Sequence, residues 1–169
     1  TYDRQAIKHF WSRFFKLLET IACSSVPVAA AITGHSPAGG AVMCLFADYR
    51  VMSQGKYLIG LNEARVGLII PLLLQDAMTR LVGQKTAEHM MVSGSLVKPE
   101  EAKEIGLVDA LEADHEATIK QAMHWCEGLL SLPRQAMLGN RAVARAHFKQ
   151  NFAENTQQSV DSFVNTWFS

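Results

Sequence analysis

The 169 residues are 49% hydrophobic and carry sixteen basic and sixteen acidic side chains, for a formal net charge of zero. That length buries a real core as one globular domain, and the charge balance leaves no electrostatic footprint for nucleic acid or an anionic membrane surface. The longest apolar run, residues 26–32, is far below the roughly 20 residues a spanning helix needs, so a soluble protein with no membrane span is expected. Cys23, Cys44 and Cys126 lie in apolar surroundings without CxxC spacing. They read as buried free thiols of a reducing compartment, which leaves no disulfide framework and no zinc site.

In chain order, apolar residues Ile7, Phe10, Trp11, Phe14, Phe15, Leu17, Leu18 and Ile21 recur at three- and four-residue spacing and predict an amphipathic helix over 2–23. Its Phe and Trp side chains are read as core or subunit contacts. Ser24 and Ser25 end it, and VAAAIT, 28–33, is a continuous apolar run of the kind shown by a strand buried on both faces. A turn over 34–40 follows, with Pro37 placed at the start of a helix that runs to about Asp48. YRVMS (49–53) and KYLIGL (56–61) are the next strands. Helices are expected from Pro71 to Gly83, over 84–94 and from Lys98 to Gly106, then a short strand at 107–111. Beyond Asp114 the pattern is helical: 114–130, a break at Pro133, 135–149, then 152–168. The chain begins at Thr1 and stops at Ser169 inside amphipathic runs, so a fragment, a processed chain or a partial chain is expected.

The stretch 37–63 carries the chemistry. Gly39 and Gly40 sit where a strand feeds a helix N-terminus, and such a terminus offers free N–H donors and a positive dipole end to a developing anion. Glu63 follows the second apolar segment in a turn that can aim its carboxylate back at the same place. An oxyanion donor and a base are the minimal kit for lifting a proton beside a carbonyl. Each residue also has a plainer reading: Glu63 as a turn residue, the glycines as permitting close helix packing. Asp48, at a helix end before a strand, reads as a buried hydrogen-bonding or capping acid, and His35 as a loop residue orienting the turn. The remaining histidines show no ligand spacing, so no metal is expected.

The runs ITGHSPAGGAVMCLFADYRVM, YLIGLNEARVGLIIP and VSGSLVKPEEAKEIGLVDAL resemble the crotonase (enoyl-CoA hydratase/isomerase) superfamily, most closely its mitochondrial-type 3,2-trans-enoyl-CoA isomerases. The resemblance covers nearly the whole chain. It implies an α/β fold, a spiral of strand-strand-helix units with a C-terminal helical region, here without the N-terminal part of the fold. The expected division is a partial spiral core over 1–113 and a helical trimerisation region over 114–169. Gly39 matches the residue whose N–H supplies half of an oxyanion hole; the other half belongs to an upstream AG-D segment that this sequence lacks. Pro37, Gly40, Leu61 and Leu68 are the expected substrate-binding neighbours. Lys56 and Arg65 are left open between CoA phosphate contacts and solvated charges.

The hydratases of this superfamily use two glutamates, and the matching positions here hold Val42 and Glu63. Adding water needs two acid/base groups, whereas moving a double bond needs one carboxylate that lifts a proton from carbon 2 and returns it at carbon 4. The pairing therefore implies an enoyl-CoA isomerase of fatty-acid β-oxidation, with Glu63 as its base and apolar walls at Leu61, Leu68 and Ile69 raising the pKa of that base. No cofactor is expected, CoA being part of the acyl-CoA thioester substrate. A homotrimer or dimer of trimers in a bacterial cytoplasm or mitochondrial matrix follows from the same resemblance. Two alternatives remain: a hydratase or other enolate chemistry on the same fold, and a non-catalytic binding or assembly subunit.

Overall fold

A computed structural model describes residues 3–168. Helix α1 spans Arg4–Ala22, capped by the Asp3 side chain, which accepts from the Gln5 N–H at 3.2 Å. Tyr2, where the expected helix begins, lies outside the described residues, as do the two terminal residues Thr1 and Ser169. One stripe of α1 (Ile7, Phe15, Leu18 and Ala22) is buried, as the three- and four-residue spacing requires.

Two successive strand-strand-helix units follow. The first is β1 (Ala29–Ile32), β2 (Ser36–Pro37) and α2 (Gly39–Leu45); the second is β3 (Tyr49–Ser53), β4 (Ile59–Gly60), a 3₁₀ turn over Glu63–Val66 and α3 (Leu72–Val82). The first strand of each unit enters one parallel sheet, completed by β5 (Ala110–Glu112) in the order β1-β3-β5. The second strands pair with each other as β2-β4, also parallel. Helices α4 (Gln84–Ser93) and α5 (Pro99–Glu104) lead to β5, and α6 (His115–Leu130), α7 (Arg134–Ala144) and α8 (Ala146–Trp167) finish the chain. Helix α6 packs on β1 and β3, while α8 lies along α1 and α3. This is the crotonase-like spiral, mostly helical and with short parallel strands.

Several sequence expectations need correction. Pro37 does not open a helix; it lies in β2, two residues before α2. Helix α2 ends at Leu45, where the Phe46 and Ala47 N–H groups close tighter turns on Met43 O and Cys44 O and the Asp48 N–H then leaves for Val28 O at 2.7 Å. The strand expected over 56–61 shrinks to Ile59–Gly60, since its partner β2 is itself two residues long. β1 is not buried on both faces. Ala31 is exposed and only Ile32 is buried, β1 having a neighbour on one edge alone among the described residues. The helix expected over 135–149 breaks at Arg145, and α8 then runs unbroken through 152. Cys23 is exposed, and Cys44 and Cys126 are half-buried.

The break at Arg145 has a physical cause. Its guanidinium turns into the protein, donating to Asp48 Oδ1 at 2.8 Å and to the Phe46 and Ala47 carbonyls at 2.7 Å each. Arg141 adds two bonds of 2.9 Å to the same carboxylate, whose Oδ2 also accepts the Val28 N–H at 2.8 Å. Arg50 donates to Ala47 O at 2.7 Å and pairs with Asp109 at 2.8 Å. The carbonyls that α2 leaves unpaired are thus capped by arginines, and Asp48 joins the C-terminal helices to the sheet. Burial lowers the Arg145 pKa to about 10, with Asp48 opposing the shift.

Candidate active site

The β2-β4 pair positions the site. Its outer rungs are Ser36 N–H to Leu58 O, 2.8 Å, and Ala38 N–H to Gly60 O, 2.9 Å. In a parallel ladder alternate residues donate to the partner strand, so Pro37, which has no N–H, falls where no donor is needed. Because the strands are parallel, both chains leave the pair at the same end. Gly39 lies two residues beyond Pro37 and Glu63 three beyond Gly60, so the helix N-terminus and the Glu63 turn both follow that end of the pair.

On the α2 side, Ala38 adopts φ 47 and ψ −118 and is, among the described residues, the one non-glycine with positive φ. Such a conformation costs about 1–3 kcal/mol and persists where the surroundings impose it; here it swings the chain from β2 into α2. The first-turn N–H groups of Gly39 and Gly40 find no backbone acceptor among the described residues. A methyl group built on Gly40 would stand 2.8 Å from Ser36 Oγ, whereas one on Gly39 would meet only Phe14 Cζ at 3.8 Å. A side chain at Gly40 would therefore require the Ser36 hydroxyl to shift, and one at Gly39 would not.

On the β4 side, Glu63 is 4% exposed, and its Oε2 has no hydrogen-bond partner. Burial raises its carboxyl pKa, offset in part by a bond from its own backbone N–H. Leu61 is fully buried beside it, and Leu68, half-buried, closes the turn by donating its N–H to Glu63 O at 3.0 Å. Ile69 is no wall, being 61% exposed. Val42 points into the core at 1% exposure. Arg65 is spent on Gly94 O at 2.7 Å, and Lys56 is exposed.

Sequence reasoning passed over two features. Asn62, next to Glu63, has a buried Oδ1 with no partner; the Asn-Glu turn was its only signal. The strained Ala38 had none, since alanine does not announce positive φ. A cavity of about 620 Å³ lies away from the site, lined by Pro27, Arg80, Trp125 and the Asp48–arginine cluster. The Arg50, Arg141 and Arg145 donors there are largely taken by carbonyls and by Asp48 and Asp109, which makes it a structural junction. Among the described residues no group of three or more His, Cys, Asp or Glu side chains could hold a metal.

The description "Enoyl-CoA hydratase/isomerase" matches residues 2–168. The mitochondrial enoyl-CoA delta isomerase 1 of Rattus norvegicus is 29% identical over 161 residues, which is 95% of this chain and 53% of that protein. A probable enoyl-CoA hydratase of Mycobacterium avium is 30% identical over 147 residues, 87% of this chain and 56% of that protein. The crystal structure of human mitochondrial delta3-delta2-enoyl-CoA isomerase superimposes with a TM-score of 0.90 at 27% identity, covering 97% of this chain and 64% of that one. The chain thus spans about half the length of the curated relatives it matches. With strand-strand-helix units, a glycine-led helix and the Glu63 turn in family order along the matched 2–168, the chain belongs to the enoyl-CoA hydratase/isomerase family.

Proposed function

We propose that this chain carries the base of an enoyl-CoA isomerase, which moves the double bond of a 3-enoyl-CoA to the 2-trans position in fatty-acid oxidation. The observation that carries the reading is Glu63, a buried carboxylate with an unpartnered oxygen, in a chain that has Val42 where the family resemblance places a hydratase's other glutamate. Glu63 takes the proton from carbon 2 as the thioester carbonyl becomes a dienolate oxygen. The Gly39 N–H donates to that oxygen, an interaction worth about 3–4 kcal/mol in comparable sites. The same carboxyl then returns the proton at carbon 4, so the reaction is proton-neutral and needs no water. A carboxyl with a raised pKa is the stronger base once ionised, which is the use of its desolvation.

CoA enters as part of the substrate rather than as a cofactor, and Pro37, Gly40, Leu61 and Leu68 surround the thioester in this reading. A homotrimer or dimer of trimers belongs to the same proposal, as does a mitochondrial matrix or a bacterial cytoplasm, the relatives being mitochondrial and mycobacterial. No helix among the described residues is long and apolar enough to cross a membrane. The test is conversion of 3-enoyl-CoA by the wild-type protein and by Glu63→Gln, with hydration of 2-enoyl-CoA measured alongside. Loss of roughly 10²–10⁴-fold in isomerisation is expected. Unchanged turnover in Glu63→Gln would sink the assignment. Hydration in place of isomerisation would select the hydratase reading that the Mycobacterium avium relative favours, and acyl-CoA binding without turnover the non-catalytic one.

A further inference from the structure

The β2-β4 pair, from one end of which both the Gly39 helix and the Glu63 turn lead, is only two residues long. In a parallel ladder, the rung before Ser36 N–H to Leu58 O would run from the Leu58 N–H to the carbonyl of Gly34. The Leu58 N–H goes instead to the side chain of His35, whose Nδ1 accepts it at 3.2 Å. We infer that His35 is a positioning residue: its imidazole stands in for a strand carbonyl and adds one more rung to the pair from which both parts of the site lead. The inference rests on the isomerase reading only for its consequence on turnover; the rung itself is independent of it.

The ring is held for this role. Tyr57 meets it edge-on, with centroids 5.6 Å apart and planes at 90°, and Tyr57 Oη is 2.9 Å from Nε2 of His115 in the first turn of α6. The turn after β1, the loop before β4 and the start of α6 are thereby tied together around one acceptor. Nδ1 accepts only with its lone pair free, which puts the ring hydrogen on Nε2. A shift of about 1 Å in a reacting geometry costs up to 10²-fold in rate, so a short strand pair gains measurably from one more rung.

Asparagine carries an acceptor oxygen the same number of bonds from Cβ as Nδ1, and leucine has the shape without the acceptor. His35→Asn is expected to keep the wild-type kcat for 3-enoyl-CoA, and His35→Leu to lose roughly 10- to 100-fold in kcat with KM little changed. Hydrogen exchange of the Leu58 amide is expected to be slow in wild type and His35→Asn and fast in His35→Leu. Equal impairment of Asn and Leu variants, or one Leu58 exchange rate in all three, overturns the inference. Should His35→Leu not fold, a fast Leu58 amide in His35→Asn overturns it and a protected one upholds it. A wild-type protein that does not turn over 3-enoyl-CoA refutes the isomerase reading alone, since the exchange measurement still decides the rung.

Discussion

Replacing Glu63 by glutamine should stabilise this protein at neutral pH while removing its proposed base. The carboxyl is 4% exposed with Oε2 unpartnered, and burial raises its pKa. Below the usual carboxylate range the group is protonated in both states and burial carries no charge penalty. As pH rises the unfolded chain releases its proton first, which favours unfolding, and stability falls until the raised folded pKa is passed. The penalty is then constant through neutral pH. Glutamine keeps a polar atom at that place and removes only the charge; stabilising replacements of this kind contribute about 0.5–2 kcal/mol, and a domain of this size shifts by about 2–4 °C per kcal/mol, so Glu63→Gln should melt about 1–8 °C above wild type near pH 7. The gap should shrink near pH 4, where unfolded glutamate is about half protonated. Thermal melts of both proteins at the two pH values decide it. A variant equal to or less stable than wild type at neutral pH, or a gap that persists in acid, would refute the claim that a charge is being held there at a cost.

Four further substitutions probe the frame around the site. Asp48→Ala leaves Arg141 and Arg145 as buried cations without their carboxylate and should cost about 3–5 kcal/mol in urea unfolding; a loss under 1 kcal/mol would mean the junction is not structural. Gly40→Ala forces a methyl to within 2.8 Å of Ser36 Oγ, while Gly39→Ala makes only a 3.8 Å contact with Phe14. The first should therefore destabilise by about 1–3 kcal/mol and the second be neutral or slightly stabilising, as differential scanning calorimetry would show; the reverse order contradicts the packing described. Val42→Glu puts a carboxylate into a core position, so it should lower the urea midpoint without producing hydration of 2-enoyl-CoA. A stable, hydrating variant would show that the side chain can leave the core for the site.

Much of the site was legible because its chemistry is written in local residues. Gly39, Gly40 and Glu63 announce themselves as a helix entry and a turn acid, whereas the meaning of Val42 comes from the family resemblance alone. Asp48 was readable as a buried hydrogen-bonding acid from its place between helix and strand, and four hydrogen bonds from Arg141, Arg145 and Val28 now account for it. The errors fell where long-range partners decide. Pro37 in β2 and the shrunken β4 follow from a pairing between residues more than twenty positions apart. The break at Arg145 follows from a guanidinium drawn toward carbonyls near residue 46, in a run of residues that locally favours helix.

By itself, then, the sequence determined which groups could do chemistry and the order of the elements that present them, because helix periodicity, turn glycines and residue type act over a few neighbours. Only the tertiary structure decided that the glycine helix and the Glu63 turn leave one short parallel pair at the same end, that Glu63 is desolvated and unpartnered, and that His35 supplies a rung. Burial, register and the direction of a side chain are set by residues distant in the chain, and no local pattern encodes them.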